Sequence, residues 1–566
     1  MTATVTDRTG PAAPPPDPVP PPPPKRRPAG VFGAVLAVAF VLTAGMRLIG
    51  AGSSTDVFVD EVIYRDLGDS AADGGFPRTD EGPFFLHPPG FFYLQAAWIR
   101  LFGPSGDIIG GVYEIRVLNA LLAGVTAVLL VLLVKRASGS LVAGSVAALL
   151  FAFDPYCIRQ NNRAMLETET MVWVLAGFLV LLPLLRDPAC RWARGRAVFA
   201  GLLFGLAVLT KDHSALITVL PLLLALVIGR GAPRRLLGVT LGVTALSYGA
   251  YVGLVTAAGH FQDFWAAKTQ GFNRLLGLVQ ETGFNAHGNV TLAERLSSEV
   301  TTFGPTYALL ALAPVALVLL LRRADAVHRM LALFLLCACV TLGYAVAGGT
   351  LEEQALYLLV VPNLVAMPVA FAALASRRTA PSAPADGTQR GRPRLLTPVR
   401  VVIAVLVAAC VGASGVSYAQ GRAQSDDGYA RLSDYMERYV PAGSTVAAAD
   451  GLANRGITGW LLKDRYRVGN WMTPAEREWE GVRYLVVPWK VVRDGYARLS
   501  EGEVRELAAQ GDLLFAVDGP MYGTLALYRL PSAGPDVNPD LPAPPPAAPP
   551  PPAAPSPAPT GSGTGP

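Results

Sequence analysis

The chain has 566 residues, 52% of them hydrophobic and only 16% charged, with a formal net charge of +5. A soluble globular protein carries about 25% charged residues, so this balance excludes an ordinary soluble domain and points to a polytopic membrane protein. Lys and Arg are spread in small clusters between apolar runs, which excludes a nucleic-acid footprint.

Residues 1–29 hold a proline tract, Pro11 to Pro24, followed by Lys25-Arg26-Arg27. This composition predicts a disordered, Pro-rich cytoplasmic tail. The apolar run behind it is too long for a signal-peptide h-region and reads as a retained first transmembrane helix. A spanning helix needs about 20 mostly apolar residues. Runs near 31–50, 112–134, 139–154, 164–185, 197–210, 213–229, 236–258, 304–321, 330–348, 354–375 and 399–419 predict about eleven spans within a 30–419 membrane unit. The runs at 139–154 and 197–210 are the shortest of them. Five cysteines fall in or beside these runs without zinc spacing, and read as small buried apolar residues.

Loop charges orient the spans. Basic clusters at Lys25–Arg27, Lys135-Arg136, Arg186–Arg196, Arg230–Arg235, Arg322–Arg329 and Arg377–Arg394 all fall on one side when the N-terminus is cytoplasmic. Outer loops are then expected at 51–111 and 259–303. Phe91 to Ile99 in the first reads as an interfacial helix. Residues 420–531 predict a small extracytoplasmic α/β domain. It has helices at Tyr429–Tyr439 and Glu501–Gln510, and strands at Val446–Ala449, Tyr484–Val487, Leu513–Val517 and Thr524–Tyr528. Residues 532–566 are rich in Pro and Ala and predict a disordered tail.

Ionisable residues cluster at the outer helix ends. Asp60-Glu61 and Tyr64 follow the first span, and His87-Pro88-Pro89 ends a polar stretch. Arg116 opens the second span. Asn161-Asn162-Arg163-Ala164-Met165-Leu166-Glu167 opens the fourth, and Lys211-Asp212 separates the fifth from the sixth. Charged groups at such depth are expected to face a polar cavity and pair with one another. Carboxylates beside Arg and Lys suit a phosphate-bearing ligand and an acid–base reaction. Each residue also has a plainer reading. The acids favour the positive end of a helix, and the cations anchor at the membrane interface.

The ordered set Asp60-Glu61 with Tyr64, His87-Pro88-Pro89, Arg163…Glu167 and Thr210-Lys211 resembles the multispanning GT-C glycosyltransferases over roughly residues 30–375. The closest groups are the protein O-mannosyltransferases and aminoarabinose transferases. The resemblance implies a polytopic α-helical fold of the GT-C type. It implies transfer of a sugar, mannose or pentose-like, from a polyprenyl-phosphate carrier at the outer membrane face to a protein, glycan or lipid acceptor. Matched position by position, Asp60 becomes the general base and Glu61 its substrate-orienting neighbour. Glu167 becomes the second acid, where the relatives often carry Asp. Lys211 becomes a ligand of the carrier phosphate, with Arg163 and Arg116 candidates for the same phosphate. Tyr64 and His87 become substrate-binding, and Tyr357, in Glu353-Gln354-Ala355-Leu356-Tyr357, lies near the lipid donor. Direct displacement with one base gives inversion. No cofactor is implied. Four histidines on the outer side, His87, His213, His260 and His287, raise a divalent metal as an alternative, disfavoured because no i,i+4 His pair or HExxH occurs. A transporter or flippase of lipid-linked sugars is the rival class. Against it stand charges gathered at one face and no evident internal repeat.

Overall fold

The computed structural model describes residues 29–103, 106–229, 233–278, 291–348, 352–377, 396–451 and 456–531. The Pro-rich ends at 1–28 and 532–566, His287 and most of the basic stretch at 378–394 lie outside the described residues.

The membrane unit is helical. α1 (Ala29–Leu48) leads through a short stretch to α2 (Val59–Ala72), which carries Asp60 and Glu61 in its first turn. A two-residue hairpin, β1 (Arg78–Thr79) and β2 (Gly82–Pro83), precedes α3 (Gly90–Phe102). Then follow α4 (Ile108–Ser138), α5 (Leu141–Phe153), α6 (Pro155–Asn161), α7 (Leu166–Arg186), α8 (Ala193–Thr210), α9 (Ala215–Ile228) and α10 (Arg234–Ala257). α11 (Phe261–Leu275) and α12 (Leu292–Ser298) follow in the stretch between α10 and the next apolar helix. α13 (Val300–Ala311), α14 (Ala313–Leu321), α15 (Ala326–Ala347), α16 (Tyr357–Arg377) and α17 (Leu396–Ala423) complete the unit.

Among the described residues, nine helical stretches are long and apolar enough to cross a membrane, or ten when the bent pair α5–α6 counts as one. All eleven expected segments are helical, but two are not simple spans. The 139–154 run turns by 66° at Asp154-Pro155 into α6. Proline supplies no N–H to continue the helix, and the Asp154 carboxylate caps the new one by accepting from Cys157 N at 2.8 Å. The 213–229 run yields α9, whose 14 residues reach only about 21 Å. The main apolar core runs through α4, α5, α7, α15 and α16, with Phe178 packed on Phe204 and Phe334.

The C-terminal unit is a five-stranded sheet in the order β4-β3-β5-β7-β6. Its strands are β3 (Thr445–Ala448), β4 (Arg467–Gly469), β5 (Tyr484–Pro488), β6 (Asp512–Gly519) and β7 (Gly523–Arg529). β3 pairs in parallel with β4 and β5, while β7 runs antiparallel to β5 and β6. The edge strand β4 is an addition to the four expected strands; three residues, Arg-Val-Gly, carry too little alternation to be read. One sheet face packs on α18 (Gly428–Tyr439) and on Val57, Val62 and Val112 of the membrane unit, so the two units share one apolar cluster.

Close helix approach depends on glycine at two points. A Cβ at Gly144 would lie 2.7 Å from the backbone oxygen of Val131 on α4, and one at Gly90 would lie 2.7 Å from the backbone oxygen of Leu209 on α8. The first lets α5 pack flat on α4, and the second seats His87 beside the end of α8. Gly144→Val forces backbone apart in a close-packed core and is expected to cost about 1–3 kcal/mol. A lowered thermal unfolding temperature of the detergent-solubilised protein, with its helical content retained, is the expected readout.

Candidate active site

α2 starts where Phe58 is extended and Glu61, three residues on, turns its carboxylate back to accept from Phe58 N at 2.9 Å. The same carboxylate takes a bidentate grip from Arg116 of α4, Nε to Oε1 at 2.8 Å and Nη2 to Oε2 at 2.7 Å. It also accepts from Ala164 N at 2.6 Å, at the turn before α7. Both side chains are fully buried. Arg116 donates its remaining N–H groups to the carbonyl oxygens of Ala51, Thr55 (2.7 Å) and Asp56 (2.8 Å). All five guanidinium N–H groups therefore meet protein acceptors, and Glu61 spends both oxygens on protein donors. The pair is buried and saturated by protein partners, so it serves as scaffold.

Asp60 stands on the other side of the same turn and differs sharply. Among the described residues no donor hydrogen-bonds its partly buried carboxylate. Its electrostatic neighbours are Glu352, Glu167, Lys211 and Arg274. Burial first, then the charges of Glu352 and Glu167, push its carboxyl up to about 7, against the pull of Lys211 and Arg274.

Glu167 sits in the first turn of α7, fully buried, and Lys211 terminates α8. Lys211 Nζ donates to Glu167 Oε1, and Gln160 Nε2 lies 3.4 Å from Oε2. Burial works against the Lys211 ammonium, but Glu167, Glu352 and Asp60 outweigh it and hold the group above its ordinary range. Tyr64 lies one helical turn beyond Asp60, in an aromatic cluster with His87, Phe91 and Phe92. Burial, together with Lys211, His213, Lys268 and Arg274, pushes the His87 imidazole well down, so it is neutral near pH 7.

The structure thus brings together Asp60, Tyr64, His87, Glu167 and Lys211. Arg163 lies apart from Lys211's partner set. Its Nη1 reaches Glu353 Oε2 at 3.3 Å, its guanidinium sits over the Phe58 ring at 4.5 Å, and its Nε is buried without a partner. Tyr357 is wholly buried, its hydroxyl accepting from Asn161 Nδ2 at 2.9 Å. Sequence reasoning missed three contributors. Glu352 and Arg274 pair at 2.9 Å beside Asp60, and Lys268 pairs with Asp212 at 2.6 Å. Arg274 and Lys268 both lie on α11, in a stretch that the sequence reading took only as an outer loop. Among the described residues no three His, Cys, Asp or Glu side chains form a metal-holding cluster.

Residues 98–230 match the family model of the dolichyl-phosphate-mannose-protein mannosyltransferases. No curated protein matches the whole sequence. Among solved structures, the archaeal oligosaccharyltransferase AglB from Archaeoglobus fulgidus, in complex with an inhibitory peptide and a dolichol-phosphate, superposes with a TM-score of 0.55 at 14% identity. The match covers 88% of this chain and 74% of that one. ArnT from Cupriavidus metallidurans, bound to undecaprenyl phosphate, superposes with a TM-score of 0.52 at 14% identity, covering 90% of this chain and 99% of that one. The chain has the GT-C fold.

In this GT-C chain the matched segment runs from the end of α3 to the end of α9, and so contains Arg116, Arg163, Glu167 and Lys211. Removing one partner of a buried ion pair leaves an uncompensated charge, at a cost of about 3–5 kcal/mol. Glu61→Leu and Arg116→Met alone are each expected to lower the unfolding temperature strongly. The double variant Glu61→Leu/Arg116→Met should recover much of the loss. Additive losses in that thermal-unfolding cycle would contradict a structural pair.

Proposed function

We propose that the protein is an integral-membrane glycosyltransferase. It moves one sugar, mannose or a pentose-like residue, from a polyprenyl-phosphate carrier to an extracytoplasmic protein, glycan or lipid acceptor. The observation that carries the reading is the contrast within one helical turn. Glu61 is fully engaged by protein donors, whereas Asp60 faces the ionised cluster with no hydrogen-bond donor among the described residues. The neighbours of matching fold were solved with dolichol-phosphate and undecaprenyl phosphate, which supports the carrier class. The basic clusters on the opposite loops support an extracytoplasmic site.

In this reading Asp60 accepts the proton of the acceptor hydroxyl as its oxygen attacks the anomeric carbon. The bond from that carbon to the carrier phosphate oxygen breaks, and the phosphate leaves as an anion. Single displacement inverts the anomeric centre. The leaving phosphate needs fixed positive charge. Lys211, held by Glu167, and Arg274, held by Glu352, are the cations beside Asp60. Arg116 has no N–H left for a phosphate, and its role here is to hold Glu61. Neutral His87 and Tyr64 form the aromatic wall against which a sugar or prenyl segment rests.

A base whose pKa is about 7 is charged only above that value. Turnover is therefore expected to rise with pH through about 7, the deprotonated form being active. The test offers purified protein a panel of polyprenyl-phosphate sugars and measures released polyprenyl phosphate. Asp60→Asn is expected to lower turnover about 10²–10⁴-fold without changing the unfolding temperature. Full activity in that variant would defeat the mechanism, and no release from any donor by the wild type would defeat the function.

A further inference from the structure

The C-terminal unit meets the membrane unit at the segment that carries Asp60. Asp56 accepts from Tyr429 N at 3.1 Å, capping α18 from outside its own unit. Asp426 N donates to Ser53 O at 2.8 Å. Lys463 Nζ donates to Asp66 Oδ2, on α2 itself, at 2.6 Å. The turn between β6 and β7 makes the closest approach. Tyr522 donates its hydroxyl proton to Val57 O at 2.6 Å, three residues before Asp60. Its buried ring stands edge-on to Tyr429 at 4.9 Å. The preceding residue, Met521, places Sδ 3.8 Å from Arg163 Nη2, and its own N–H is held by Asp426 Oδ1 at 3.2 Å.

We propose that Tyr522 of the β6–β7 turn is a positioning residue of the transfer site. Tyr522 fixes the entry of α2 and hence the Asp60 carboxylate. This rests on the reading of Asp60 as the base. The carbonyls of Thr55 and Asp56 are held by Arg116 from below. The next carbonyl, that of Val57, is held by Tyr522 from the C-terminal unit. The start of α2 is therefore clamped from two sides, and one of the clamps is not part of the membrane unit.

A base must lie within hydrogen-bond reach of the proton it takes, and small misplacements are costly. Tyr522→Phe keeps the ring packing and deletes only the hydroxyl. The full-length variant is expected to lose about tenfold in kcat with an unchanged donor KM, the pattern of a misplaced reacting group. The groups facing Asp60 are Glu352, Glu167, Lys211, Arg274 and Tyr64. With α2 loosened among them, Asp60 gains water and the ascending limb of the pH profile moves to lower pH. Lys463→Met, which frees Asp66 at the far end of the same interface, is expected to move kcat in the same direction. Wild-type kcat and pH limb in Tyr522→Phe overturn the proposal, as does an activity loss that only tracks loss of folded protein. An inactive wild type would instead defeat the glycosyltransferase reading, and this proposal with it.

Discussion

The site depends on one buried ion pair. Glu61 and Arg116 join the first turn of α2, the stretch from Ala51 to Asp56, the N-terminal half of α4 and the turn before α7. Taking two charges out of water is costly, and only complete hydrogen bonding offsets it. Here every guanidinium N–H and both carboxylate oxygens are used. The geometry is over-determined, so the neighbouring residue is held in place without needing bonds of its own. A catalytic carboxylate gains from that arrangement, because a group free of internal partners keeps its basicity for the substrate.

Three acids near one another illustrate how environment divides labour among like side chains. Glu61 is neutralised by a bidentate Arg. Glu167 is neutralised by Lys211, which leaves a paired cation near Asp60. Asp60 keeps a diffuse field of mixed sign, and burial raises it to about 7. Adjacent residues thus differ more than residues a hundred positions apart. The cause is the helix: consecutive side chains point about 100° away from each other, so Asp60 and Glu61 face different surroundings.

Much of the membrane unit was legible in the sequence, because a helix in lipid must satisfy its backbone internally and shows as an apolar run. The charges at helix ends were equally visible, and they led to Asp60, Glu167 and Lys211. Their partners were not. Nothing local tells Arg116 from Arg163, yet one is saturated by Glu61 and the other carries an unpartnered Nε. Glu352 and Arg274 lie 78 residues apart and meet only in the fold. Tyr357 was read toward the donor from the resemblance of its motif, and its bond from Asn161, 196 residues away, forms only in the fold.

Arg47 explains how the second acid comes to face the first. The chain bends by 66° between α5 and α6, where Pro155 has no N–H to offer the carbonyl of Phe151. Arg47, fully buried at the end of α1, donates to Phe151 O at 2.9 Å and to Ala152 O at 2.6 Å. A side-chain cation thus takes over bonds that the helix lost, and its charge meets the negative end of the α5 dipole. Without that compensation the bend would leave bare carbonyls in an apolar core. With it, α6 turns aside and the residues after it, held by Asn119 and Glu61, start α7 where Glu167 can reach Lys211. A costly buried arginine at one helix end is therefore tied to the placement of an acid more than a hundred residues later.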